Sequence, residues 1–184
     1  MGVELSRSGV SIASQRVPQA RFLEHDLLQG SDPPEDLQGW ATHAICSEVL
    51  EHLDEPERLL GNALPWMAPA CRVVATVPGG PMSSFDRHIG HRRHYDPTSL
   101  RRLLERAGLQ VEGVTGAGFP FFNLYRLAVI ARGDRLIEDV SRPDGGEPRW
   151  AARAAMRAFD VAFSLNRSRG PFGWQMLALA RLAR

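Results

Sequence analysis

Two short stretches of this chain concentrate side chains able to move protons or hold charged ligands. The first is Cys46-Ser47-Glu48-Val49-Leu50-Glu51-His52-Leu53, where a short apolar run meets two carboxylates and an imidazole before Asp54-Glu55-Pro56 opens a helix. The second is Asp86-Arg87-His88-Ile89-Gly90-His91-Arg92-Arg93-His94-Tyr95, with three histidines in seven positions. Imidazoles titrate near neutrality and suit general-base work. Polar residues crowded at the end of a buried strand point to a ligand crevice, because strand ends carry unpaired backbone groups and projecting side chains.

The elements that must position these groups alternate along the chain. Val3 to Leu5 ends a strand, and Ser6 or Ser8 caps a helix reaching about Arg16. Arg21 to Glu24 is a strand that gives out at Asp26, followed by a Gly- and Pro-rich loop to Gly39. Thr42 to Ser47 is a buried strand, and Leu59, Leu60, Leu64 and Met67 fall at helical spacing over Glu55 to Met67. Arg72 to Val77 is a β-branched strand, and Met82 to Tyr95 a polar loop. Pro97 suits a helix's first position, Gly108 its left-handed end, and Leu109 to Val114 a further strand.

Phe121 to Leu136 and Trp150 to Leu165 read as helices around a polar linker, with a last strand candidate over Gly173 to Ala183. Trp174 to Leu182 also fits a helix. This alternation predicts an α/β fold, a Rossmann-like and mostly parallel sheet flanked by helices. The expected organisation is a single domain over residues 1–184, with a helical insertion at 121–170 that caps one side of it.

Composition bounds the partners. The 184 residues carry a net charge of +1, which argues against a dedicated nucleic-acid binder. The first 60 residues hold eleven acids against four arginines, the rest ten acids against eighteen. All 22 basic residues are Arg. A solvated Arg-rich face is the favoured reading of the basic half, ahead of a peripheral membrane contact, although Arg149, Arg153 and Arg157 share a helical face with Asp160 beside Met156, Phe159 and Phe163. Cys46 and Cys71 lie in apolar runs without metal spacing and are expected to be reduced thiols. With no leader-like N-terminus and no apolar run of spanning length, the expectation is a soluble, cytoplasmic protein.

Taken together, Gly2-Val3-Glu4-Leu5-Ser6, Phe22 to Asp26, Ser47 to Leu53, Val77-Pro78, Gly90 to Tyr95 and Leu103 to Leu109 resemble class I S-adenosylmethionine-dependent methyltransferases, nearest the small-molecule and quinone-type branch. The resemblance implies that Glu4 holds the cofactor's ribose hydroxyls, that Asp26 with Leu27 lies on its adenine side, and that Cys46, Ser47 and Glu48 line the gap between cofactor and acceptor. It implies methyl transfer to a small or lipophilic acceptor, with oxygen preferred. His91, or His52, is the expected catalytic group that assists deprotonation. The aromatic residues Phe119, Phe121, Phe122, Tyr125, Trp150, Phe159 and Phe163, with Met156, either line an acceptor pocket or form ordinary core.

Glu48-x-x-Glu51-His52 also resembles a divalent-metal site of some quinone and RNA methyltransferases, but a plain helix start is the favoured reading. The family's glycine-rich loop after its first strand is not matched: Gly79-Gly80 and Gly116-x-Gly118 follow other strands. The expectation is therefore a domain truncated at its N-terminus, lacking the first strand and its helix. The rival is a catalytically inactive, methyltransferase-like scaffold that has lost cofactor binding.

Overall fold

A computed structural model describes residues 1–30, 32–141, 157 and 159–183. Its strands fall into two sheets. β1 (Gly2–Glu4) pairs in parallel with β2 (Phe22–Glu24), and α1 (Arg7–Arg16) connects them. Ser6 caps α1 by accepting a hydrogen bond from the Gly9 N–H, as its residue type predicts. The larger sheet contains β3 (Ala41–Ser47), β4 (Met67–Pro78), β5 (Leu109–Ala117) and β6 (Gln175–Leu182) in the order β3-β4-β6-β5. β3 and β4 run parallel, and β6 lies antiparallel between β4 and β5. Among the described residues no strand joins the two sheets.

One face of the large sheet is dry. Val73, Ala75 and Val77 of β4 and Met176, Ala178 and Ala180 of β6 alternate inward, as a period of two requires. They meet Leu60 from α2 (Pro56–Ala63) and Leu100, Leu103 and Leu104 from α4 (Pro97–Arg106). The other face is thinly covered: Ile45 is 78% exposed and Leu179 36%.

Several boundaries differ from the sequence reading. The helix expected to reach Met67 stops at Ala63; a 3₁₀ turn over Leu64–Trp66 containing Pro65 follows, and Met67 already begins β4. Pro65 has no N–H for a continuing helix, so periodicity alone overran. The loop before Tyr95 holds a short helix, α3 (Ser84–His88), closed by a reciprocal capping box between Ser83 and Asp86. The helix expected over 121–136 breaks at Gly133, φ +48°, into α5 (Phe121–Arg132) and α6 (Asp134–Ser141). The last segment is strand rather than helix. Trp150, Met156, Arg149 and Arg153 lie outside the described residues. No helix among the described residues is long and apolar enough to cross a membrane.

Candidate active site

The Ser47–His52 stretch turns sharply at the carboxyl end of β3. Glu48 takes a left-handed backbone, φ +53°, which non-glycine residues seldom adopt and which concentrates at functional sites. Two features hold it: its N–H donates to the Thr76 carbonyl (2.9 Å), and its Oε1 accepts from Gln175 Nε2 (2.6 Å) and Thr76 Oγ1 (3.0 Å). Ser47 Oγ lies 2.7 Å from the same threonine hydroxyl. Burial, reinforced by Glu51, pushes the Cys46 thiol up to about 11, so it stays protonated and is no nucleophile.

Past Glu48 the chain makes a 3₁₀ turn over Leu50–His52, not the start of a regular helix. The turn is pinned by the second stretch: Tyr95 Oη donates to the Leu50 carbonyl (3.1 Å), and the Arg92 N–H to the Glu51 carbonyl (2.8 Å). The two motifs, some forty residues apart, therefore form one site.

Within it the His52 and His91 rings meet edge to face at 4.7 Å, and His91 Nδ1 stands 3.3 Å from His94 Nε2. His88 is exposed at the end of α3 and takes no part. Burial and the neighbouring His52 lower the His91 pKa against the opposing pull of Asp86. Below them Asp86 is fully buried and saturated with donors. Arg126 of α5 grips it with two nitrogens (2.8 and 2.7 Å), and Ser83 gives it both N–H and Oγ (2.7 Å each). Burial alone would raise the Asp86 carboxyl, but these donors outweigh it and hold the group below the usual carboxylate range.

Glu51 is the second buried carboxylate. Among the described residues neither oxygen has a hydrogen-bond partner of good geometry beyond the residue's own backbone N–H, and Oε1 is 3.8 Å from His52 Nε2. Burial, followed by the nearby Glu48, raises it to about 7. Ligand atoms of Glu51, His52 and His91 lie within 4.8 Å of one another, an oxygen–nitrogen set able to face one divalent cation. Glu48, which the sequence spacing would place in such a set, is instead tied to Thr76 and Gln175.

The remaining predicted site residues stand on the small sheet. Glu4 Oε1 accepts from Ser6 N–H and Oγ (3.0 and 2.9 Å), with the carboxylate folded over Gly9, where a Cβ would come within 2.5 Å of it. Asp26 Oδ1 caps a turn through the Leu28 N–H (2.8 Å), and the Leu27 carbonyl accepts from Asn62 Nδ2 (2.6 Å). Those bonds are local or reach α2, whereas those of Ser47 and Glu48 reach β4 and β6. Phe122, Tyr125, Phe159 and Phe163 form an aromatic cluster with ring separations of 5.8–6.4 Å.

Sequence reasoning gave no role to Arg126 or Gly80. Arg126 carried no signal, since nothing in an apolar helix marks which arginine turns inward. The Asp86 capping pattern Ser83-x-x-Asp86 was readable as a helix start and would have located α3.

The family profile described as a methyltransferase domain matches residues 1–114, and the chain belongs to that family. No curated protein matches it in sequence. Among solved structures, the chain is similar to a putative methyltransferase from Bacillus halodurans C-125: 12% identity, TM-score 0.57, 99% of this chain and 82% of that one. It is similar to the [4+2]-cyclase SpnF at 15% identity and TM-score 0.53, covering 99% of this chain and 65% of SpnF. A third is phosphoethanolamine N-methyltransferase 2 of Haemonchus contortus, solved with S-adenosyl-L-methionine: 14% identity, TM-score 0.55, 100% of this chain and 43% of that one. These likenesses establish the class I methyltransferase fold expected from the sequence.

Proposed function

We propose that this chain transfers a methyl group from S-adenosylmethionine to a small or lipophilic acceptor, at oxygen in preference to nitrogen or carbon. The observation that carries the reading is the single site built at the ends of β3 and β4, where a strained Glu48, a buried Glu51 and paired imidazoles meet. The carboxylates of Glu4 and Asp26, at the ends of β1 and β2, fit a cofactor with ribose and adenine donors, because each offers acceptor oxygens only. Cys46, Ser47 and Glu48 would line the boundary between cofactor and acceptor. The cofactor supplies the electrophilic methyl group; the protein's own work is positioning and proton removal. His91, with His52 beside it, takes the acceptor's proton, and burial favours the neutral imidazole that this requires. Residues 121–170, with the Phe122–Tyr125–Phe159–Phe163 cluster, are read as the cap over an apolar acceptor.

The sheet itself supports a domain with one more strand. Among the described residues β1, β2, β3 and β5 each have a single strand neighbour, and Ile45 is left 78% exposed on the thinly covered face. A second reading, a binding or scaffold protein without methyl transfer, draws on the same open edges, which suit strand addition by a partner. Titration calorimetry with S-adenosylmethionine separates the two. Binding by the chain is the expected result, with Glu4→Ala weakening it at least tenfold. Absence of binding would sink the enzyme reading.

A further inference from the structure

His94 was expected only as one of three histidines in a polar loop, yet its surroundings are the most restrictive of the three. Its Nδ1 lies 3.1 Å from the Gly80 carbonyl, which can only accept, so Nδ1 carries the hydrogen. At pH 8, above the ordinary imidazole pKa of about 6.5, the ring is neutral. A neutral ring protonated at Nδ1 has its lone pair at Nε2, and that atom stands 3.3 Å from His91 Nδ1. Two lone pairs cannot share that contact, so His91 Nδ1 is the donor. The lone pair of His91 is then at Nε2, on a ring packed edge to face against His52.

We propose that His94 is a positioning residue that fixes the tautomer of His91, leaving His91 Nε2 as the one basic nitrogen of the cluster's central ring. The inference rests on the reading of His91 as the base only for its catalytic meaning, not for its geometry. Asp86 does not compete for the role. It stands 4.0 Å from His91 Nδ1 and 3.8 Å from His94 Nε2, beyond hydrogen-bond reach, and its oxygens already accept from Arg126 and Ser83. A backbone carbonyl thus sets the order of protons through two imidazoles, where a carboxylate partner would pull His91 toward its charged form. Glu51 and His52 face His91 from the β3 turn, Asp86 from α3 and Arg126 from α5; Gly80 belongs to the turn after β4, where its φ is +70°.

The test is the imidazole ¹⁵N spectrum of the whole chain at pH 8, assigned with His91→Gln and His94→Gln. Both rings are expected to give the Nδ1–H pattern, and His94→Phe is expected to return His91 to the Nε2–H form favoured in water. His94→Gln, whose amide oxygen can accept from His91 Nδ1–H, should keep the Nδ1–H pattern. An Nε2–H signal for His91 in the unaltered chain, or an unchanged His91 pattern in folded His94→Phe, overturns the proposal. The unaltered spectrum decides it even if His94→Phe does not fold. The readout needs neither cofactor nor acceptor, so a failure of methyl transfer and a failure of this assignment are told apart.

Discussion

Asp86 and Glu51 are both fully buried carboxylates beside the same histidines, and the fold treats them in opposite ways. Asp86 sits in the capping box of α3 and receives the Arg126 guanidinium from α5, so its charge is stabilised and it ties α3 to α5. Glu51 stands on a one-turn 3₁₀ segment, its carboxylate without a hydrogen-bonding side chain among the described residues and His52 Nε2 3.8 Å away, its acid range raised to about 7. A charge buried with its partners is structure. A carboxylate buried without them is held for something else, because leaving it unpaired costs stability that an apolar residue would not.

The sharpest way to break this comparison is to neutralise each acid in turn. Asp86→Asn leaves Arg126 without a counter-charge, its side chain only 12% exposed, and is expected to cost about 3 kcal/mol or more, read as a fall in the urea midpoint. A loss below about 0.5 kcal/mol would mean that Asp86 is not the anchor. Glu51→Gln, by contrast, should be neutral to stabilising at pH 8 by up to roughly 2 kcal/mol, since it removes the burden of ionising a buried group.

pH separates them further. Glu51 has a folded pKa raised above its unfolded value, so its contribution is complete below about 4.3, the unpaired glutamate value. It is lost as pH rises through about 7. Stability should therefore fall between those limits, and Glu51→Gln should flatten that part of the curve. Asp86 has a depressed folded pKa, so its contribution is present above the ordinary carboxylate range and lost only in stronger acid. Asp86→Asn should remove that acid limb and leave the neutral one intact. Thermal denaturation from about pH 1 to pH 9 reads both.

The smallest effect belongs to a third carboxylate. Glu48 is exposed and already bonded, so Glu48→Gln should change stability by about 0.5 kcal/mol or less. A larger loss, seen as a shift in the melting temperature, would show that its charge holds the left-handed turn.

Much of the frame was legible in the chain. Ser6 and Asp96 cap the helices their positions suggest, and the strands over 41–47 and 109–117 appear near their expected limits. Methyltransferase membership was legible too, because its landmarks recur in order over residues 1–114. Boundaries failed where a local rule overrode period: Pro65 ended a helix that leucine spacing continued, and Gly133 split another. The roles at the site were only half legible. Cys46 reads in sequence as a reduced thiol and burial holds it protonated, but no local signal marks Arg126 as the partner of Asp86.

What the sequence determined alone is local: caps, turns, the alternation that makes an α/β sheet, and two dense polar motifs whose residue types permit proton transfer. These depend on spacing within a few residues, which the chain displays directly. Which of those polar groups is charged, saturated or unpartnered was decided only by the tertiary structure. Arg126 reaches Asp86 across forty residues, Gln175 reaches Glu48 across 127, and among the described residues no side chain hydrogen-bonds the Glu51 carboxylate. The protonation state of a buried group depends on its desolvation and on donors brought from distant elements, and neither exists until the sheet has assembled.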